Sequence, residues 1–179
     1  LCEGYMDVIA MHQAGFDSAV ATLGTAITPA QARLIGRMGK KEVILSYDSD
    51  GPGQKAASKG INLLTEAGVK ARVLSIQGAK DPDEFIQKYG GEAFAHLLES
   101  SGGAIDFELG KLSAGLDLAM KDEDRATYLK RAVVFLAQIS NAIDRDVYIS
   151  RVAENGGIPA ETVRFAVNGE INRQKKRNK

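Results

Sequence analysis

The sequence predicts an α/β fold, a parallel sheet with flanking helices followed by a small helical bundle. Over the first 90 residues, short β-branched runs alternate with helical periodicity, which is the pattern of βαβ units. After Gly91 the strand pattern stops and helical spacing takes over. The length, 179 residues, suits one ordinary domain or a compact domain with a smaller appendage.

The elements follow in order. Ser18-Ala-Val-Ala-Thr22 is short, small and partly β-branched. Thr28-Pro29-Ala30-Gln31 opens a helix: Thr28 suits the N-cap, Pro29 the first helical position, and Gln31 closes a capping box. That helix should run to Gly39. Glu42-Val-Ile-Leu-Ser-Tyr-Asp48 reads as a buried strand. Residues 53–67 read as a helix with Ala56, Ala57, Ile61, Leu63 and Leu64 on its apolar face, and Gly68 stops it. Residues 69–76 read as a strand, and Asp81-Pro82-Asp83-Glu84 opens another helix. Helical spacing then recurs near 92–99, 104–119, 123–140, 144–155 and 159–171. In the third of these, Tyr128, Leu129, Ala132, Val133, Leu136 and Ile139 form one stripe, with Asp122 as its cap. Gly156-Gly157 breaks the next pair and Pro159 restarts the chain as helix. The expected organisation is therefore a sheet-bearing domain over 1–90, a helical subdomain over 91–170 and a basic tail over 171–179.

Composition narrows the function. Hydrophobic residues make up 44% and charged residues 26%, as in a soluble globular protein and unlike a disordered one. No run of 18 apolar residues exists, and no basic start with an apolar stretch marks a secretory signal. The start at Leu1 rather than Met leads to the expectation of a piece of a longer chain. One cysteine, Cys2, excludes an internal disulfide and a cysteine-clustered zinc site, and it fits a reducing cytoplasm. Acids and bases balance at 23 each, so total charge points to no nucleic-acid partner. The distribution is uneven: residues 173–179 hold five bases and no acid, which suits either a phosphate contact or a solvated linker.

Three acidic pairs carry the chemistry. Glu3 should end the first strand, with Asp7 one turn into the next helix. Asp48 and Asp50 lie where the strand before them ends, and Asp81 and Asp83 follow the next strand after a short loop. In a parallel sheet all three pairs reach the carboxyl edge, where such folds bind ligands. Six carboxylates gathered there would repel one another unless cations were bound. Oxygen ligands at that density suit Mg²⁺ or Mn²⁺. Two such ions suit phosphoryl or nucleotidyl transfer, or phosphodiester cleavage. Each pair also has a plain structural use: Asp50 and Asp81 as helix caps, Asp7 as a first-turn acid. Three pairs at three strand ends of one sheet favour the metal site.

Softer features surround them. The amides of Leu23-Gly24-Thr25 lie between a strand and a helix, where a phosphate can approach, although a plain βα turn needs a glycine too. Lys55 begins the helix after the acidic loop and can meet a triphosphate. His12 and His96 have no metal-ligand spacing, and Cys2 reads as buried packing.

These residues resemble a known family. Glu3-Gly-Tyr-Met-Asp7-Val-Ile-Ala, Leu23-Gly-Thr25, Tyr47-Asp-Ser-Asp-Gly-Pro-Gly-Gln-Lys-Ala-Ala57 and Lys80-Asp-Pro-Asp-Glu84 are similar to the Toprim motifs of bacterial replicative DNA primases. The resemblance covers about the first 90 residues, and the helical remainder resembles the subdomain that follows Toprim there. It implies a Rossmann-like Toprim sheet and template-directed synthesis of RNA primers, a nucleotidyl transfer. Glu3 then corresponds to the Toprim glutamate that binds metal and assists proton transfer, and Asp48 and Asp50 to the Asp-x-Asp ligands. Asp7, Asp81 and Asp83 correspond to further acids around the metal and nucleotide.

The implied cofactor is Mg²⁺ or Mn²⁺, with no zinc in this chain. The implied partners are single-stranded DNA template, ribonucleoside triphosphates and RNA primer, with a replicative helicase reached through a domain beyond Lys179. The implied setting is the bacterial cytoplasm, without a membrane. The upstream zinc-binding and basic parts of the family's core are absent, so the isolated chain is expected to be a monomer and to make primers poorly or not at all. Two other readings remain: a different Toprim enzyme, nuclease or topoisomerase, and a non-catalytic binding module whose acids are caps.

Overall fold

A computed structural model describes residues 1–24, 26–39, 41–47 and 51–177. The chain forms two compact units, Leu1–Glu108 and Leu109–Lys179, divided inside one helix.

The first unit is built on a sheet. Strands β1 (Glu42–Leu45) and β2 (Lys70–Val73) pair in parallel, with Glu42 opposite Lys70 and Leu45 opposite Val73. The pair Glu42 and Lys70 closes at 3.0 Å, which holds the Glu42 carboxyl below its ordinary value, with help from Arg72. Cys2 extends the sheet through isolated parallel bridges to Ser46 on one side and Ala21 on the other. The Ser46 amide donates to the Leu1 carbonyl at 2.8 Å and the Cys2 amide to the Val20 carbonyl at 3.0 Å. The foreseen strand at 18–22 thus survives as one bridge. β3 (Gly102–Gly103) is antiparallel to β2 and lies where no strand was expected. Two glycines carry no strand propensity, so only pairing makes them one.

Around the sheet lie α1 (Tyr5–Gln13), α2 (Pro29–Arg37), α3 (Gly51–Glu66), α4 (Pro82–Glu99) and α5 (Ala104–Ser113). The start of α2 is the predicted capping box: the Gln31 amide donates to Thr28 Oγ1 at 3.3 Å, and the Thr28 amide donates to Gln31 Oε1 at 2.9 Å. One core joins Ile27, Leu45, Tyr47, Ala57, Ile61, Leu64 and Val73. A second joins Cys2, Met11, Leu74, Ile76, Phe85 and Phe94. α4 is interrupted at Gly90, whose φ of +83° a side chain would resist. The helix foreseen over 104–119 ends at Ser113, and Gly115 turns the chain with φ +75°.

The second unit packs α6 (Asp122–Leu136), α7 (Ala142–Gly156) and α8 (Ala160–Arg177). Tyr128, Ala132 and Leu136 of the foreseen stripe are buried with Ile149, Val152, Val163 and Val167. Lys121, not Asp122, is the N-cap of α6: Asp122 has begun the helix and pairs with Arg125. α8 stays helical through Arg177, so the basic cluster from Arg173 to Arg177 is a helix end that complements the helix dipole. No described helix is long and apolar enough to cross a membrane.

Candidate functional site

Parallel pairing sets the direction in which the chain leaves the sheet. Cys2, Ala21, Ser46 and β2 all run the same way, so Glu3, Leu23-Gly24, Tyr47 and Ser75 emerge at one edge. Glu3 follows the central bridge residue and is half-buried. Its carbonyl accepts the amides of Leu23 at 3.0 Å and Gly24 at 3.4 Å, which fastens the Leu23-Gly24 turn to it. Leu23 takes φ +60° there, an uncommon conformation for a branched side chain. Asp48, Asp50 and Thr25 lie outside the described residues; Tyr47 is the last described residue before the Asp48 to Asp50 stretch, and Gly51, the first after it, begins α3.

Asp7 is the third residue of α1 and only 7% exposed. Its Oδ2 accepts the Gly4 amide at 3.3 Å. Its Oδ1 accepts the Asp83 amide at 3.4 Å, which brings the first and third acidic pairs together. Asp81 caps α4, accepting the Glu84 amide at 2.8 Å, and pairs with Lys80 at 3.5 Å. Glu84 turns back to accept the Lys80 amide at 2.8 Å. Asp83 accepts from Gln87 Nε2 at 2.7 Å. Each of these carboxylates holds local structure through the bonds just described.

Glu3, Gly24, Ala26, Pro52, Lys55, Ala56 and Lys59 line a cleft of about 350 Å³. It unites three residues singled out from the sequence, Glu3, Gly24 and Lys55. Lys59 went unnoticed, although its signal was present: it stands four residues after Lys55, on the same helical face. Behind the edge, Tyr47 is buried, which pushes its phenol up. Its hydroxyl lies toward the Ile27 backbone and Thr22 without a hydrogen bond of normal geometry. Cys2 is fully buried in packing, as expected. His12 bonds the Ala19 carbonyl at 3.0 Å and His96 faces Glu99, so neither belongs to the site.

The donor chemistry fits a hard divalent cation: the acids at this edge offer oxygen alone, with no imidazole or thiolate among them. Among the described residues no three His, Cys, Asp or Glu side chains converge tightly enough to hold a metal by themselves.

Residues 1–86 match the family described as Toprim-like, and residues 105–161 match the DnaB-helicase binding domain of primase. The chain is 35% identical over 171 residues to a DNA primase of Clostridium acetobutylicum, covering 96% of this chain and 28% of that protein. It is 49% identical over 88 residues to a DNA primase of Campylobacter jejuni, covering 49% of this chain and 14% of that one. Among solved structures it is similar to the RNA polymerase domain of Mycobacterium tuberculosis primase DnaG in complex with a double-stranded DNA oligomer bearing a 6-nucleotide overhang. There the TM-score is 0.73 at 29% identity, over 88% of this chain and 50% of that one. It is also similar to a DnaG primase catalytic domain bound to single-stranded DNA, with a TM-score of 0.67 at 29% identity, over 90% and 52%. The chain thus spans under a third of the curated relatives and about half of these structures.

Proposed function

Because this chain belongs to the Toprim-type DNA primases, we propose that it is the metal-bearing part of a core that synthesises RNA primers on single-stranded DNA during replication. One observation carries the reading most directly. Cys2 bridges Ala21 and Ser46 in parallel, so Glu3, the Gly24 turn and the strand leading to Asp48 and Asp50 share one edge. The reaction is a nucleotidyl transfer. A primer 3′-hydroxyl attacks the α-phosphate of a ribonucleoside triphosphate, the new O–P bond forms, and pyrophosphate leaves with the electrons of the old one.

Mg²⁺ or Mn²⁺ would be held by Glu3, Asp48 and Asp50, with Asp7, Asp81 and Asp83 as further members of the set. Such an ion polarises the phosphate and stabilises the leaving oxygen. Glu3 also accepts the proton of the attacking hydroxyl. Asp7 holds Asp83, and with it the start of α4, against α1. Gly24, whose amide is held by the Glu3 carbonyl at 3.4 Å, lines the cleft in which a phosphate would lie, with Thr25 next to it in sequence. Positioning and electrostatics account for most of the acceleration.

The partners in this reading are single-stranded DNA, ribonucleoside triphosphates, the RNA primer and a replicative helicase in a bacterial cytoplasm. The match at 105–161 supports placing a helicase contact on that segment, whereas the sequence reading placed it beyond Lys179. The chain by itself is a monomer of weak or no primer synthesis in this proposal. The test is a Mn²⁺ titration by EPR with ribonucleotide present. Saturable binding lost in Asp48→Ala/Asp50→Ala supports the reading; binding equal in both, or absent from both, overturns it in favour of a binding module.

A further inference from the structure

The geometry points to Lys55 and Lys59 as a paired cradle for the β- and γ-phosphates of the incoming nucleotide, and for the pyrophosphate that leaves. The inference rests on the metal-dependent reading above and adds to it the residues that hold the leaving group.

Both lysines line the cleft that Glu3 and Gly24 also line. They stand one turn apart on α3, whose opposite face is committed to the core through Gly53, Ala57, Gly60, Ile61 and Leu64. Ser58, between them in sequence, bonds Glu108 at 2.7 Å and keeps that acid on another face of the helix. Neither lysine makes an ion pair among the described residues, and Glu3 is the acidic residue among those that line the same cleft. Two ammonium groups at this spacing repel each other, and an anion between them removes the repulsion.

The ligand chemistry follows from the cleft's two sides. A polyphosphate alone would meet Glu3 as a like charge. A polyphosphate carrying a divalent cation meets the carboxylate through the cation and the lysines through its outer oxygens. When the α-phosphate accepts the 3′-oxygen, the bridging bond to the β-phosphorus side breaks and its electron pair passes to pyrophosphate. Lys55 and Lys59 lie where that charge would collect, and their hydrogen bonds to it are charge-assisted. A volume of about 350 Å³ has room for a diphosphate group.

The test is calorimetric titration of inorganic pyrophosphate into the whole chain with Mn²⁺ present, beside EPR titration of Mn²⁺ alone. Lys59→Ala should weaken pyrophosphate binding roughly tenfold, the worth of one charge-assisted bond, and Lys55→Ala/Lys59→Ala further. Lys59→Arg should keep most of it, and Mn²⁺ binding alone should not change. Pyrophosphate binding by Lys55→Ala/Lys59→Ala within twofold of the parent chain, or no pyrophosphate binding by the parent chain, overturns the cradle. Loss of Mn²⁺ binding on Asp48→Ala/Asp50→Ala with no lysine effect would sink this inference alone and leave the metal site standing.

Discussion

The buried carboxylate of Asp7 accepts the backbone amide of Asp83 at 3.4 Å across a separation of 76 residues. That bond fastens the first turn of α4 to the first turn of α1. Asp7→Ala removes the acceptor and leaves a partly buried N–H without a partner. The expected loss is about 1–3 kcal/mol of unfolding free energy, and less for Asp7→Asn, which keeps an oxygen there. Urea unfolding of the three chains checks it. Equal midpoints for Asp7→Ala and the parent would show that the bond holds nothing.

Arg72 offers a second case of long-range fastening. Its guanidinium donates to the carbonyls of Leu98 at 3.2 Å, Glu99 at 2.8 Å and Ser101 at 2.8 Å, closing the end of α4. Helix carbonyls at a C-terminus have no intrahelical partner, and a planar fork of donors can serve several together. Arg72→Lys should cost about 1–2 kcal/mol, because one ammonium cannot span the set, and Arg72→Met about 2–3 kcal/mol. Hydrogen exchange over 97–103 should rise in both variants. Unchanged exchange there would contradict the capping role.

The contrast between these contacts and the caps shows what is legible in a sequence. Thr28 with Gln31, and Asp81 with Glu84, act within three residues, so spacing alone identifies them. The parallel strands were legible from alternating periods, and Glu3, Gly24 and Lys55 were singled out before the cleft that joins them was seen. The strand at Gly102–Gly103 exists only because Arg72 and Val73 pair with it, and no local pattern announces that. Asp122 looked like a cap, but Asp124 takes the Asp117 amide at 2.9 Å and the helix starts one residue earlier than a cap at 122 allows. Asp7 was seen as a metal or dipole residue; its grip on Asp83 depends on where the loop over 77–80 returns. Asp48 and Asp50 fall outside the described residues, so their part in the site remains a proposal.

Burial of Cys2 predicts chemical silence. Desolvation pushes its thiol up to about 11 from an ordinary 9, so the reactive thiolate is scarce at neutral pH. A folded-state value above the unfolded one means the contribution to stability is complete below about 9 and lost as pH rises through about 11. Ellman's reagent at pH 8 should therefore leave the folded chain unlabelled and label it at once in urea. Rapid labelling of the folded chain would show that the strand holding Cys2 opens freely.

Two glycines predict opposite signs for one substitution. Gly36 lies in α2, and a Cβ there would sit 2.8 Å from the backbone carbonyl oxygen of Ala67, at the end of α3. Backbone cannot swing aside as a side-chain tip can, so α2 and α3 must part, at an overpacking cost of about 1–3 kcal/mol. Helix propensity favours alanine over glycine by only about 1 kcal/mol. The close approach wins, and Gly36→Ala should be destabilised by roughly 1 kcal/mol once the two are set against each other. Gly169 lies in α8 with nothing within 4 Å of its would-be Cβ, so propensity acts alone. Gly169→Ala should gain about 0.5–1 kcal/mol. Thermal and urea unfolding of both variants decides the matter: a gain at Gly36 would mean that α2 and α3 are not pressed together at that point.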